Sequence, residues 1–346
     1  MPAQIVYDEL EILIFFNIAE QPETCMSDLP KSIRINEEGP REGFQFEKGP
    51  IPTARKIDLI NALSNTGLKQ IQIVSFVPPQ NVPGMADADE VVGNFKPNPD
   101  VAYTALWLNE RGLQRALGHD DKLYLFGSIG LTCSEPFLLR NQKRTMAENL
   151  DAQRSIIKMY QTHGIAIRRG YLMAAFGCNF AGDIAPSMVA DMVGQLLDMA
   201  AEAGEELEYV SLADTMAWAT PLTIQRVVGA VRAKYPNLKL SLHLHDTRGM
   251  GVANAYAGLT MGVDTYDAAV AGLGGCPFAA HKGAAGNLCT EDLVFMCDEM
   301  GIETGIDLDA LLVAANVAEE VVGHPLPGSV KSGGTLKAMR EKLRAH

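Results

Sequence analysis

Apolar residues recur along this chain in two rhythms. Short runs rich in Val, Ile, Leu and Tyr alternate with longer stretches in which apolar positions return every three or four residues. The first is the rhythm of a strand, the second that of an amphipathic helix. The runs predict strands over residues 32–36, 71–76, 102–106, 122–129, 166–174, 209–213, 238–245 and 265–270. Helical segments over 54–66, 143–163, 186–203, 221–235 and 250–261 lie among them. Eight strands alternating with helices predict an α/β chain folded as a (β/α)8 TIM barrel. The alternative, a doubly wound open sheet, would carry a glycine-rich dinucleotide fingerprint after its first strand, and none stands there. Residues 1–29 fit neither rhythm and read as an N-terminal extension. Residues 30–327 are assigned to the barrel and 328–346 to a short polar, basic C-terminal tail.

The seventh run, Ser241-Leu-His-Leu-His-Asp-Thr247, separates its two faces cleanly. Leu238, Leu240, Leu242 and Leu244 share one side, suited to lie beneath helices. Lys239, Ser241, His243 and His245 share the other. Two neutral imidazoles converging at the C-terminal end of a barrel strand begin a divalent-metal site. By itself the pair is equally compatible with hydrogen-bonded interior histidines. Other polar residues fall at the same end of the predicted barrel. Arg41 and Glu42 follow the first strand, Gln72 and Ser75 lie in the second, and Asp214 and Thr215 end the sixth. After the eighth comes a glycine-rich loop, Ala271-Gly-Leu-Gly-Gly-Cys-Pro277, continuing through His281 and Lys282 to Gly286 and Asn287. Glu291 and Asp292 then open another helix.

Composition narrows the function. The formal net charge of −13 over 346 residues repels phosphate backbones, which argues against nucleic acid as a partner. No apolar run reaches the roughly 18 residues of a membrane span, and Ile12-Leu-Ile-Phe-Phe16, preceded by acidic residues, does not fit a signal peptide. The six cysteines contain no CxxC pair, which predicts reduced thiols and a cytoplasmic location.

Taken together, five ordered motifs resemble the 3-hydroxy-3-methylglutaryl-CoA lyases, metal-dependent TIM-barrel enzymes. They are Glu38-Gly-Pro-Arg-Glu-Gly-Phe-Gln45, Ser75-Phe-Val77, Asp214-Thr215, His243-Leu-His-Asp-Thr247 and Ala269-Val-Ala-Gly-Leu-Gly-Gly-Cys-Pro-Phe278. Asn287-Leu-Cys-Thr-Glu-Asp292 extends the last. The resemblance implies Mg²⁺ or Mn²⁺ held by Glu42, His243, His245 and Asn287. It implies an acyl-CoA substrate, with coenzyme A as part of it, cleaved by retro-Claisen chemistry. Arg41 would stabilise the thioester oxygen as it becomes an enolate, and His243 or Asp214 would take the hydroxyl proton. Cys276 would protonate the enolate or help close the site. Lys48, Ser75 and Gln72 would contact the substrate and its coenzyme A portion. By analogy the protein would be a homodimer.

Several positions depart from the family pattern. Glu42 stands where an aspartate is usual, Gln72 where a glutamate is usual, and Trp218 where a small residue is usual. The segment between Cys276 and Asn287 is two residues longer than the family's and carries His281 and Lys282, offering a cation near the site. These differences point to 3-hydroxy-3-methylglutaryl-CoA or a related 3-hydroxy-acyl-CoA. A Claisen-condensing synthase that joins an acyl-CoA to a 2-oxo acid shares the barrel and the HxH motif. It usually carries a long C-terminal extension, so the chain's end near residue 346 favours the lyase. A metal-binding paralogue without catalysis is a third reading.

Overall fold

The computed structural model describes residues 29–47, 49–274 and 286–344. Strands and helices alternate as the rhythm predicts. They run β1 (Arg34–Glu37), α1 (Thr53–Leu63), β2 (Gln70–Ser75), α2 (Ala88–Asn94), β3 (Ala102–Leu106) and α3 (Glu110–Leu117). Then come β4 (Gly127–Thr132), α4 (Glu135–Gln142), α5 (Met146–Thr162), β5 (Ile167–Met173), α6 (Pro186–Glu202) and β6 (Tyr209–Ala213). The chain continues through α7 (Pro221–Lys234), β7 (Leu240–His243), α8 (Gly251–Thr260), β8 (Thr265–Ala268), α9 (Thr290–Glu299) and α10 (Leu308–Val322). Two short helices follow, α11 (Ser329–Gly333) and α12 (Leu336–Arg344).

All eight strands are parallel and form one curled sheet in the order β3-β2-β1-β8-β7-β6-β5-β4. The expected closed ladder is not complete among the described residues, because β3 and β4 do not pair. The fourth run was expected over 122–129, but the strand begins at Gly127. Tyr124 N donates to Tyr103 O at 2.7 Å, so the segment ahead of β4 lies beside β3 without extending into a ladder.

The helices cover the sheet's outer face because the strands present leucine, isoleucine and valine to it. Leu242 shows how tightly. A Cβ on Gly258 of α8 would stand 2.6 Å from Leu242 Cδ1 and 2.7 Å from Tyr266 Oη, so α8 can approach β7 and β8 only with glycine there. Leu240, Leu242 and Leu244 are all buried, as the alternation predicts. The opposite phase points inward and is polar: Asn36, Gln72, Arg169, Ser211, Ser241, His243 and Asp267 lie on it. Helix ends carry local signals that the sequence writes plainly. Thr145 and Glu148 form a capping box for α5, and Thr220 caps α7 with Pro221 in its first turn.

Candidate active site

The site is built where strands β1, β6, β7 and β8 end. Past β1 the chain enters a wide helical turn, Gly39–Gly43, closed by Glu42 N donating to Glu38 O at 2.8 Å. This turn sets Arg41 and Glu42 side by side over the sheet's C-terminal end. On the far side, His245 forms an isolated antiparallel bridge with Asn287, which brings the segment after the glycine-rich loop back over β7. Gly274 lies between these two walls. With φ +87° it adopts a conformation that side-chain-bearing residues avoid, and a Cβ there would lie 2.6 Å from Asn287 Nδ2 and 3.1 Å from Glu42 Cγ. Glycine at 274 therefore lets Asn287 approach Glu42.

Glu42, His243 and His245 converge, each offering one ligand atom within 4.8 Å of the others. Glu42 Oε1 is 3.6 Å from His245 Nε2 and 3.8 Å from His243 Nε2. Both imidazoles are oriented through their other nitrogen. His245 Nδ1 lies 2.7 Å from the Asp214 carbonyl oxygen, and His243 Nδ1 lies 3.3 Å from Asp267 Oδ2. That arrangement turns both Nε2 atoms toward Glu42, the orientation that metal-binding histidines commonly receive from such partners. Two further observations fit a cation at this point. His245 Nε2 is buried with no hydrogen-bond partner, and so is Asn287 Oδ1, whose amide nitrogen is fixed on Leu273 O at 2.9 Å. An unpartnered imidazole nitrogen, an unpartnered amide oxygen on the residue bridged to His245, and a carboxylate form a donor set that suits a divalent ion.

The electrostatics agree. Glu38, Glu42, Asp214 and Asp267 are buried; the first two and Asp267 face the guanidiniums of Arg41 and Arg169, and Asp214 faces the two imidazoles. Burial opposes the charge on Glu42, but Arg41 and the two imidazoles outweigh it and hold the carboxyl well below the usual range. For Asp267 burial is likewise overcome, chiefly by Arg169, and its acidity is strongly enhanced. Asp267 accepts from Arg169 Nη2 at 2.8 Å and from Asn36 Nδ2 at 2.9 Å. Burial pushes Asp214 the other way, to about 6, with His245 partly offsetting it. Asp214 Oδ1 accepts from the backbone amides of Trp218 and Ala219 at 2.7 and 3.0 Å, while Oδ2 is buried and unpartnered.

The structure thus brings together Arg41, Glu42, Asp214, His243, His245 and Asn287 from the residues singled out in the sequence. Ser75 and Gln72 lie on β2 with Ser75 Oγ and Gln72 Oε1 buried and unpartnered. Thr215 Oγ1 accepts from Ala174 N at 2.9 Å, so it ties the ends of β5 and β6. Lys48, Cys276, His281 and Lys282 lie outside the described residues. Four participants were missed: Asn36, Glu38, Arg169 and Asp267. Each is a polar residue inside or at the end of a strand-like run, in the inward phase. Tyr266, one residue from Asp267, turns outward to bond Ala255 O and Val263 O of the α8 side, and that alternation was the available signal.

Comparison with known proteins follows this geometry. The HMGL-like family model matches residues 32–318, most of the chain. The protein belongs to the HMGL-like family. The chain is 39% identical over 294 residues to the mitochondrial hydroxymethylglutaryl-CoA lyase of Mus musculus, covering 85% of this chain and 86% of the relative. It is 37% identical over 296 residues to the 3-hydroxy-3-isohexenylglutaryl-CoA/hydroxy-methylglutaryl-CoA lyase of Pseudomonas aeruginosa, covering 86% and 95%. A solved HMG-CoA lyase from Acinetobacter baumannii, in complex with coenzyme A and 3-methylmalate, superposes with a TM-score of 0.77 at 36% identity, over 88% of this chain and 96% of that one. The family match carries the barrel-type fold with it. The curled sheet of eight parallel strands agrees with that fold, with β3 and β4 unpaired among the described residues.

Proposed function

We propose that this HMGL-like protein is a divalent-metal-dependent carbon–carbon lyase. Its substrate is 3-hydroxy-3-methylglutaryl-CoA or a closely related 3-hydroxy-acyl-CoA, cleaved to acetyl-CoA or another acyl-CoA and a keto acid. The observation that carries the reading is the convergence of Glu42, His243 and His245 beside Arg41, with Asn287, whose side-chain oxygen is unpartnered, bridged to His245. Glu42, His243, His245 and Asn287 would hold Mg²⁺ or Mn²⁺, which when bound would polarise substrate oxygens and lower the pKa of a coordinated hydroxyl.

The chain's own groups supply the rest. Arg41 is fixed by Glu38 and by Glu42 at 3.1 Å, and its fixed charge favours the enolate oxygen over the neutral thioester oxygen. Asp214 Oδ2, with its carboxyl near the neutral range, is suited to hold the proton of the 3-hydroxyl. His243, the other candidate for that proton, has its Nε2 turned toward Glu42 and its Nδ1 beside Asp267, so the role falls to Asp214. Gln72 and Ser75 line the substrate's side of β2, and Lys48 is assigned to coenzyme A. Cys276 is assigned the proton that quenches the enolate. Two relatives named for different acyl groups show that this scaffold serves more than one substituent, and Trp218 is where this chain's pocket would differ. Trp218 packs over Gly177, where a Cβ would lie 2.6 Å from Trp218 Cβ, and bonds Asn179 Oδ1 at 2.7 Å. We assign the protein to the cytoplasm as a homodimer. The four described cysteines, Cys133, Cys178, Cys289 and Cys297, are free and buried, which supports a reducing compartment.

The test is incubation of Mn²⁺- or Mg²⁺-loaded protein with a panel of 3-hydroxy-acyl-CoAs, followed by mass spectrometry. Acetyl-CoA and acetoacetate from 3-hydroxy-3-methylglutaryl-CoA, lost on chelation, is the expected result. Cleavage of another panel member alone would reassign the acyl group. No cleavage of any member would overturn the lyase reading.

A further inference from the structure

Glu38 follows directly on β1 and is 1% exposed. The β1–β2 register pairs Asn36 with Gln70 and Glu37 with Ile71, which brings Glu38 level with Gln72 on the next strand. Both share the inward phase. Asn36, two residues before Glu38, donates to Asp267, its partner on the adjacent strand β8, and Gln70, two before Gln72, accepts from Arg34 Nη2 at 3.0 Å. One Glu38 carboxylate oxygen holds the Arg41 guanidinium through Nη2. The other, Oε1, is buried without a partner, and so is Gln72 Oε1.

Carboxylates at both 38 and 72 would stand at one level of a buried site, where like charges suppress one another's ionisation. An amide at 72 leaves a single charge there, on β1. We propose that Glu38 is the positioning residue for Arg41, and that it carries the one negative charge which this level of the barrel accommodates, with Gln72 its neutral neighbour. The inference rests on the role assigned to Arg41 in the lyase reading. Arg41 is held at both ends, and the two anchors differ. Glu42 is also a candidate metal ligand, so its carboxylate is shared, whereas Glu38 makes no other side-chain hydrogen bond among the described residues and feels Arg169 only as a neighbouring charge. Glu38 is therefore the anchor that keeps Arg41 in place when Glu42 is engaged. A misplacement of about 1 Å in such a group can cost about 100-fold in rate. Because enolate charge develops only in the transition state, the loss belongs in kcat rather than KM.

The experiment is a cycle of four proteins: the native chain, Glu38→Gln, Gln72→Glu and the double variant. Each is assayed for kcat and KM on 3-hydroxy-3-methylglutaryl-CoA and for Tm. Glu38→Gln is expected to lower kcat by about 10- to 100-fold with little change in KM. Gln72→Glu is expected to lower both kcat and Tm, because it adds a second carboxyl beside the first. The double variant, which moves the charge from β1 to β2, recovers most of both. Glu38→Asp, which keeps the charge at shorter reach, falls between the native chain and Glu38→Gln. Native kcat in Glu38→Gln, or losses that simply add in the double variant, would overturn the proposal. The Tm arm needs no substrate, so additive or compensating stability decides the charge relocation even if the native protein cleaves nothing. An inactive native protein would overturn the lyase reading instead.

Discussion

Glu37 and Glu38 are neighbours in sequence and opposites in role, because strand alternation sends one out of the interior and the other in. Glu37 Oε1 accepts from Gly39 N at 2.7 Å and Val270 N at 2.9 Å, and Oε2 lies 2.6 Å from Thr290 Oγ1, so one carboxyl ties the ends of β1 and β8 to the start of α9. Burial pushes it up to about 8. Between its ordinary value near 4.5 and that value, the folded protein keeps a proton that the unfolded chain has released. This contribution to stability is therefore complete below the unfolded value and declines as pH rises toward 8. Glu37→Gln copies the protonated pattern, its carbonyl accepting the two amides and its NH2 facing Thr290. Urea unfolding from about pH 5 to about pH 8.5 is expected to show the native chain losing stability relative to Glu37→Gln as pH rises. A gap that stays constant would mean that Glu37 ionises alike in both states. Asp267 is the residue-scale counterpart on the site side, since it orients His243 while sharing its charge with Arg169. Asp267→Asn is expected to weaken Mn²⁺ binding by about 10- to 100-fold in a titration followed by electron paramagnetic resonance. His243 and His245 were legible because HxH is a local pattern, whereas Glu42 and Asn287 entered as ligands through the family resemblance. Glu38, Arg169 and Asp267 were not legible, because a single inward polar residue in an apolar run acquires meaning only from the strand beside it.

At the scale of elements, alternation decided which strands were legible. β3 and β6 fall on the predicted residues, and β7 differs only at its ends, since leucine on every second position leaves one way to face the helices. The fourth run was harder. Leu123-Tyr-Leu-Phe126 reads as a strand by composition, but it turns before the ladder with β5 begins at Gly127↔Ile167. α4 was missed as well, being only eight residues long and marked chiefly by its cap, Ser134, which accepts from Phe137 N. The element that most directly supports the site from outside is α8, seated on β7 and β8 through Gly258. Gly258→Ala improves intrinsic helix propensity by about 1 kcal/mol. It also drives a methyl into Leu242 and Tyr266, and overpacking of this kind costs about 1–3 kcal/mol. The clash is expected to prevail, giving net destabilisation in denaturant unfolding. Because Leu242 and His243 are adjacent, Mn²⁺ affinity should fall with it. A Gly258→Ala protein as stable as the native one would mean that α8 can move off the sheet without loss.

For the molecule as a whole, the interior charge balance links stability to the ion. Among the described residues, Glu38, Glu42 and Asp267 face Arg41 and Arg169 inside the curled sheet while Asp214 lies beside the two histidines, and a divalent cation at Glu42, His243 and His245 would add positive charge to that balance. Binding to the folded state alone stabilises a protein by RT ln(1 + [L]/Kd), which is about 2.7 kcal/mol when the ion is present at about 100 times its Kd. Protein freed of metal by chelation is therefore expected to unfold at lower temperature, and its Tm should climb steadily with added Mn²⁺. The climb must depend on the ligand set if the charge argument is right. His245→Ala removes a ring whose Nε2 is buried and unpartnered, and Asn287→Ala removes the open amide oxygen, so each should shift the Mn²⁺ dependence to higher concentration. Arg168→Ala, at an exposed ion pair with Glu208 away from the site, should leave it in place. A Tm indifferent to Mn²⁺, or one that rises equally in all of these proteins, would mean that the interior charges are balanced by protonation, and that the convergence of Glu42 with the two histidines serves packing instead of an ion.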